Sequence, residues 1–393
     1  MVTGTREKKT GRIRLGMVGG GQGAFIGAVH RLAARMDDEY ELVAGALSAD
    51  PKKAAASAAD LGLDPARSYA SFEEMAKAEA KRADGIEAVA IVTPNHVHVP
   101  AAKAFINAGI HVICDKPLAL SLKEAKSLEA LLARRKEVIF ALTHNYSGYP
   151  MIRHAKQMIA AGELGDIRVV QGEYPQDWLT TALEQTGQKQ AAWRTDPKRS
   201  GAGGCVGDIG THTYQLMCDV SGLGVTELSA DLTTFVKGRA LDDNVNVMLR
   251  FKPKGGTAAK GMLWASQVAP GNENGLKLRI YGTKGGLEWK QEDPNYLWYT
   301  PFGEPKRLIT RGGAGSGSAA GRMTRVPPGH PEGYLEGFAN IYAEAARAIK
   351  AARTVKKPDK DVTFPGIADG VTGMAFIEAC VKSSKANGKW TKL

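Results

Sequence analysis

Residues 13–24 read IRLGMVGGGQGA, and this stretch decides the fold. An apolar run of this length that ends in glycines is typical of a buried parallel strand. Residues 24–36 (AFIGAVHRLAARM) then follow with a helical apolar rhythm. A dinucleotide site needs this order: Gly19 makes the turn, Gly21 lets the backbone approach the pyrophosphate, and small Ala24 allows close helix packing. A plain turn before a core helix would have the same order, so that alternative stays open here.

Strand and helix patterns alternate through the first third of the chain. Beyond the first unit, the patterns predict strands at 41–47, 86–92, 110–114 and 137–142, and helices at 51–61, 99–108 and 121–135. The connections are short, which favours a doubly wound parallel sheet. We therefore predict an α/β fold with an N-terminal Rossmann domain over 12–145, preceded by a flexible polar tail over 1–11.

The pattern changes near residue 150. A helix at 151–161 precedes segments that alternate apolar and polar residues, namely 167–174, 225–236, 244–251, 259–268 and 276–282. This alternation indicates an antiparallel sheet with one covered face. A Gly/Ser/Pro-rich loop at 311–331 is long enough to be mobile or functional. Helices at 335–352 and 366–385 complete a predicted C-terminal α+β domain (146–393) with a large, open, mainly antiparallel sheet. Its last helices can pack back onto the first domain.

Composition narrows the class of protein. The 393 residues suggest two domains, and 43% hydrophobic with 24% charged residues excludes a disordered chain. The net charge of +11 comes from scattered Lys and Arg without an aromatic–basic stripe, which argues against a nucleic-acid partner. No run of 18 apolar residues or secretory h-region occurs, so we expect no membrane span. Four widely spaced cysteines fit a reducing compartment, so we expect a cytoplasmic protein.

The end of the second predicted strand bears on the choice of cofactor. An NAD site usually has an acidic residue there to bind the ribose hydroxyls. This chain has Ser48 there, followed by Asp50, Lys52 and Lys53. With Ser48 at that position, no carboxylate repels a 2′-phosphate and the lysines can attract one, which favours tolerance of NADP. If Asp50 reaches back instead, NAD is favoured, and the lysines are simply a solvated helix start.

Several motifs, read in order, resemble one oxidoreductase family. They are Thr93-Pro94-Asn95-His96-Val97-His98, Cys114-Asp115-Lys116-Pro117, Asn145-Tyr146, Trp193-Arg194 and residues 203–212 (GGCVGDIGTH). The set is similar to the TPN-x-x-H, EKP and GGG-x-x-x-D-x-G-x-H segments of the Gfo/Idh/MocA family, the relatives of glucose–fructose oxidoreductase and inositol dehydrogenase. The resemblance covers nearly the whole chain. It implies a Rossmann domain, an open-sheet C-terminal domain, an NAD or NADP cofactor, and homodimers or homotetramers formed through that sheet.

The resemblance implies that Lys116, Asp208 and His212 form the catalytic group. Oxidation of a secondary alcohol releases a proton, and imidazole, with a pKa of about 6.5, suits its acceptance. Lys116 can donate to the reacting oxygen and stabilise its charge. Asp208 lies one turn before His212 if 208–220 is a helix, so it can contact substrate or orient the imidazole. No cluster supplies further ligands to this Asp–His pair, so we predict no metal site.

Other residues are expected to surround the two ligands. We expect the cofactor to contact Gly19, Gly21, Gln22, Ala24, Ser48, Lys53, Thr93, Asn95, His98, Asp115 and Lys116. The candidates for a polyol site are Tyr146, Trp193, Arg194 and His330, because aromatic faces suit sugar C–H surfaces and Arg or His can bond hydroxyls. His330 ends the 311–331 loop and can close over the substrate. As alternatives, His98 can be a packed structural histidine and His330 an exposed one.

Two enzymatic functions fit these features. The first is an NAD(P)-dependent dehydrogenase or reductase that acts on a sugar, an anhydrosugar or an inositol. The second is a lyase or glycosidase that uses transient oxidation by tightly bound NAD, and cofactor retained without net reduction would distinguish it. A binding protein without chemistry would not need Lys116, Asp208 and His212 together.

Overall fold

A computed structural model describes residues 11–253 and 258–393 of the chain. The predicted tail therefore lies, apart from Gly11, outside the described residues. Within the two described ranges, no helix is long and apolar enough to cross a membrane.

The first domain is built on a five-stranded parallel sheet in the order β2-β1-β3-β4-β5. Its strands are β1 (Ile13–Gly19), β2 (Tyr40–Ala46), β3 (Ala88–Val92), β4 (His111–Cys114) and β5 (Phe140–Leu142). Its helices are α1 (Phe25–Met36), α2 (Pro51–Asp60), α3 (Phe72–Glu79), α4 (Asn95–Asn107) and α5 (Leu122–Leu132). The strand order reverses at β1, so a crevice opens beyond the carboxyl ends of β1 and β3, where such sheets bind ligands.

The glycine turn after β1 packs closely against helix α1. Gly19 and Gly20 have φ angles of 80° and 74°, which side chains rarely adopt. A Cβ on Gly27 would lie 2.4 Å from Gly20 Cα, so the close packing assigned to Ala24 belongs to Gly27 instead. Ala24 is the N-cap residue of α1 and provides no side-chain cap. The first N–H groups of the helix therefore remain available to an anion.

The second domain is built on a nine-stranded sheet in the order β13-β12-β11-β10-β6-β9-β8-β7-β14. Its strands are β6 (Ile167–Pro175), β7 (Val225–Thr233), β8 (Asn244–Phe251), β9 (Lys260–Ser266), β10 (Lys277–Gly282), β11 (Gly285–Lys290), β12 (Tyr296–Pro301), β13 (Arg307–Thr310) and β14 (Thr391–Lys392). Among the described strand pairs of this sheet, β6 and β9 run parallel and the others antiparallel. The predicted fold class, with its large and mainly antiparallel second sheet, is confirmed.

The described part of the second domain contains seven α-helices, and those at 150–160, 211–221 and 367–385 pack against one face of its sheet. The seven helices are α6 (Pro150–Ala160), α7 (Lys189–Arg194), α8 (Pro197–Ser200), α9 (Thr211–Ser221), α10 (Ser318–Met323), α11 (Tyr334–Arg353) and α12 (Ile367–Lys385). Strand β8 shows the resulting alternation, with Val245, Val247 and Leu249 buried and Asn246 and Met248 exposed. The face opposite the helices is therefore open.

The last part of the chain returns to the first domain. Helix α11 packs against α1, and its Tyr342 hydroxyl lies 2.9 Å from His30 Nδ1 in a shared core. The 311–331 segment contains α10 and is anchored rather than free. The guanidinium of Arg311 is buried against Glu332, and Arg325 forms an ion pair with Asp37 near the end of α1.

Candidate active site

A cavity of about 950 Å³ lies between the two domains, over the carboxyl ends of β1, β3 and β4. Its lining includes these predicted site residues: Gly19, Gly21, Gln22, Ala24, Ser48, Lys53, Thr93, Asn95, Asp115, Lys116, Tyr146, Trp193, Arg194, Asp208 and His212. The structure thus brings together, around one space, residues that are almost two hundred positions apart in the chain.

Two predicted site residues lie elsewhere. His98 is fully buried, and its ring nitrogens lie 2.7 Å from the Pro117 carbonyl oxygen and 2.9 Å from that of Thr93. The ring is therefore packed between the two motif segments, can donate to one of the two carbonyls, and does not line the cavity. His330 is exposed outside the cavity, because the anchored loop directs it to solvent. The predicted cofactor contact of His98 and substrate contact of His330 therefore stay predictions, since neither side chain lines the cavity.

The Asp208 carboxylate is held by three side chains. Its Oδ1 lies 3.0 Å from Lys116 Nζ, and its Oδ2 accepts from Arg194 Nε at 3.2 Å and Gln267 Nε2 at 2.9 Å. Burial raises the pKa of Asp208, but the charges of Lys116 and Arg194 and their hydrogen bonds outweigh it, and the pKa falls to about 2. Asp208 is therefore ionised, and it fixes the Lys116 ammonium at the cavity wall.

The expected helix over 208–220 begins differently. Residues Val206–Gly210 form a π-helical turn, and α9 starts after it. Because a π-turn closes over five residues rather than four, His212 does not sit directly above Asp208. Among the described contacts, no hydrogen bond links these two side chains, so Asp208 positions Lys116 and not the imidazole. Single π-turns of this kind occur frequently at functional sites.

A buried carboxylate that sequence reasoning missed holds this turn in place. Asp242 accepts from Gly204 N at 2.6 Å and from Val206 N at 2.8 Å. Burial raises the pKa of Asp242 to about 6 despite these two bonds. Asp242 lies between two predicted strands, and only the fold brings it to the glycine-rich segment.

The His212 imidazole lies in an aromatic enclosure. It is 8% exposed, and its ring centroid lies 4.8 Å from that of Tyr146 and 5.7 Å from that of His144. Its Nδ1 has no hydrogen-bond partner within the described chain. Burial, followed by the positive charge of Lys116 and then by His144, lowers the pKa of His212 well below its usual value. The imidazole is therefore neutral at physiological pH, which is the protonation state that a general base requires.

Asp115, which stands where the family motif has glutamate, binds the backbone of Lys116. Its Oδ1 accepts from Thr143 Oγ1 at 2.8 Å and from Lys116 N at 3.0 Å. Burial raises the pKa of Asp115, but interaction with His30 and the charge of Lys116 bring it well below its usual value. The shorter carboxylate is therefore ionised and fixes the backbone at Lys116.

Opposite the glycine turn, hydroxyl and amide groups form a network. Tyr146 and Tyr174 hydroxyls lie 2.5 Å apart, and Asn274 Oδ1 accepts from Tyr174 at 2.6 Å and from Gln176 at 2.8 Å. The lining residues that the motifs did not indicate include Tyr174, Gln176, Trp178, Lys189, Gln190, Arg199, Asn274 and Tyr334. Of these, only Tyr174 had a sequence signal, as the last residue of a predicted strand.

After the end of β2, Ser48 lines the cavity and Asp50 does not. The Asp50 carboxylate caps α2, accepting from Lys52 N at 2.9 Å and from Lys53 N at 3.1 Å. The alternative in which Asp50 reaches back is therefore not the observed arrangement. Ser48 lines the cavity, and its hydroxyl accepts from Asp50 N at 3.1 Å.

Comparison with known proteins extends along the whole chain. Residues 13–144 match the model of an oxidoreductase family with an NAD-binding Rossmann fold, and residues 152–288 match that of the GFO/IDH/MocA C-terminal domain. An oxidoreductase from Sinorhizobium meliloti, known from its crystal structure, is 61% identical, with 98% of this chain and 100% of that chain covered and a TM-score of 0.88.

Two further relatives have named ligands or activities. An inositol dehydrogenase homolog from Azotobacter vinelandii, complexed with NAD⁺, is 35% identical, with 98% and 99% of the two chains covered and a TM-score of 0.92. Its structure with NADH and myo-inositol has a TM-score of 0.89. Levoglucosan dehydrogenase from Pseudarthrobacter phenanthrenivorans is 29% identical over 305 residues, which cover 71% of this chain and 74% of that protein.

The lowered pKa of His212 predicts a particular pH dependence of stability. The unfolded chain takes up this proton near the ordinary histidine pKa of about 6.5, and the folded chain does so only at lower pH. The contribution of His212 to the free energy of unfolding is therefore full above pH 6.5 and is lost as the pH falls. We expect His212→Asn to flatten the decline in urea stability between about pH 6.5 and 5. A His212 pKa at or above 6.5, measured by NMR titration of the ring, would contradict this. Lys116→Met should raise that pKa, because the charge of Lys116 lowers it.

Proposed function

Because the chain belongs to the GFO/IDH/MocA family of oxidoreductases, with an NAD-binding Rossmann fold, we propose that it oxidises or reduces a polyol. The reaction is hydride transfer between a nicotinamide cofactor and a secondary alcohol or ketone of a sugar, anhydrosugar or inositol. One observation carries the proposal: a fixed ammonium (Lys116) and a neutral buried imidazole (His212) line the same cavity as an uncapped helix start after a glycine turn.

Each step has a group that can perform it. The nicotinamide ring, when bound, accepts or supplies the hydride. In oxidation, the carbinol C–H bond breaks with its electron pair, and the O–H proton passes to His212, which is neutral and can take it. Lys116 donates to the reacting oxygen and stabilises the charge that develops there. Asp208 is the positioning residue for Lys116.

The substrate class rests on the lining and on the relatives. Hydroxyl and amide groups of Tyr146, Tyr174 and Asn274 can both donate and accept, as a ring of hydroxyls requires. Arg194 stacks over Trp193, with its Cζ 4.3 Å from the ring centroid, and this presents an aromatic wall. The relatives that are named for inositol and levoglucosan act on, or bind, molecules of this class.

A second copy of the chain is the partner we propose for the open face of the large sheet. Met248 and Met262 are direct cross-strand neighbours on β8 and β9, and each is 49% exposed. They line a shallow concavity of about 360 Å³ together with Trp264 and Arg279. An exposed apolar patch with a polar and charged rim is typical of a protein interface.

The catalytic assignment predicts two loss-of-function variants. Lys116→Met and His212→Asn should each lower kcat by roughly 10²- to 10⁴-fold, because each removes a group needed only in the transition state. The Kd for the cofactor should change little. Formation of reduced cofactor should be followed with a panel of sugars, anhydrosugars and inositols. Lys123→Met, an exposed lysine on α5, is the matched control, and near wild-type turnover by either site variant would refute the assignment.

The absence of a carboxylate at Ser48 predicts that NADP⁺ is tolerated as well as NAD⁺. Ser48→Asp should weaken NADP⁺ binding by at least roughly tenfold, because an added carboxylate repels a 2′-phosphate, and should leave NAD⁺ binding equal or improved. Titration calorimetry with both dinucleotides measures the change. Equal effects on the two cofactors would show that Ser48 does not contact the ribose.

The interface proposal predicts dissociation by charge. Met262→Glu should dissociate the assembly, and light scattering should then give a smaller molar mass. The reason is that a carboxylate buried at the interface without a partner opposes association. Leu308→Glu is the control, since Leu308 is 44% exposed on β13 outside the concavity. An unchanged molar mass for Met262→Glu would place any self-association on another surface.

A further inference from the structure

Three cations that the catalytic scheme does not use line the cavity on both sides of the domain boundary. They are Lys53 on α2, Lys189 on α7 and Arg199 on α8. Lys53 Nζ lies 3.8 Å from the position that a Cβ would take on Gly23, so its ammonium stands beside the glycine turn. Of these three, Lys189 and Arg199 belong to the second domain and had no motif signal.

The three charges are close enough to act on one another. Burial, followed by the positive charges of Lys53 and Arg199, lowers the pKa of Lys189. Within residues 11–253 and 258–393, none of the three forms an ion pair with a carboxylate. Like charges that face one another without a counter-ion disfavour the empty site and favour binding of an anion.

The carboxylates of the cavity do not neutralise this cluster. The lining contains three carboxylates. Asp115 is bound by Thr143 and the Lys116 backbone, and Asp208 by Lys116 and Arg194. Glu73 forms no ion pair within the described residues. The three cations therefore remain available to a ligand.

The position of Arg199 is tied to the first domain as well. Asn95 Nδ2, at the start of α4, donates to the Ser200 carbonyl at 2.9 Å. This bond therefore fixes the end of α8, next to Arg199, against the Rossmann domain.

We propose that Lys53, Lys189 and Arg199 form an interdomain clamp for a phosphate group of the dinucleotide. The inference rests on the proposed function, since it requires a bound dinucleotide. Arginine and lysine are the side chains that bind phosphate oxygens, arginine through two parallel bonds and lysine as a point charge. The place beside Gly23 favours the cofactor over an anionic substrate, which would bind near Lys116 and His212. A bound cofactor thereby joins α7 and α8 to the glycine turn.

The test is cofactor affinity, measured by titration calorimetry with NAD⁺ and NADP⁺ on the full chain. Lys189→Ala and Arg199→Ala should each weaken binding by roughly tenfold, and affinity should depend less steeply on salt than in the wild type. The matched controls are Lys52→Ala and Lys198→Ala, exposed neighbours of Lys53 and Arg199 that do not line the cavity. Unchanged thermal unfolding shows that the variants are folded.

The two dinucleotides distinguish the phosphate involved. Equal losses support a clamp on the bridging pyrophosphate, and a loss for NADP⁺ alone supports a clamp on the 2′-phosphate. The clamp would be overturned if Lys189→Ala and Arg199→Ala bound both dinucleotides as tightly as the wild type does. A rise in the KM for an anionic polyol in these variants would not rescue it. A wild-type chain that binds neither dinucleotide would overturn the proposed function itself, and with it this inference.

Discussion

The ion pair between Lys116 and Asp208 joins the end of β4 in the first domain to the π-turn that precedes α9 in the second. Removal of either charge would leave the other buried without its main partner, which is costly in a protein interior. The pair also sets the electrostatics of the site. The charge of Lys116 helps to keep His212 neutral, and Asp208 prevents that ammonium from withdrawing into solvent.

The fixed position of Asp208 depends in turn on groups outside the reaction. Gln267 donates to its carboxylate, and Asp242 holds the backbone of the glycine-rich segment at Gly204 and Val206. A buried carboxylate is normally unfavourable, and it is retained here because two backbone N–H groups would otherwise lack a partner. The position of Lys116 is therefore maintained by a series of contacts that begins at Gln267 and Asp242 in the second domain and passes through Asp208.

The fold could be predicted because its signals are periodic. The strand–helix alternation of the first domain and the alternating strands of the second follow from hydrophobic patterns, and the family resemblance is confirmed along both. The patterns missed α3, α7, α8, α10 and β11–β14, none of which exceeds eight residues. Short elements carry too few residues for a period to be recognised.

The site could be predicted less completely, because residue type does not reveal partners. The identity of His98 could not show that two carbonyls occupy its ring, and the spacing of Asp208 and His212 could not show a π-turn. The distribution of charge likewise emerges only in three dimensions. Lys116 and Arg194 share the Asp208 carboxylate, whereas Lys53 and Lys189 form no ion pair within the part of the chain that the structure describes. The ion pairs of the cavity therefore lie around Asp208, and the cations Lys53 and Lys189 are separate from them.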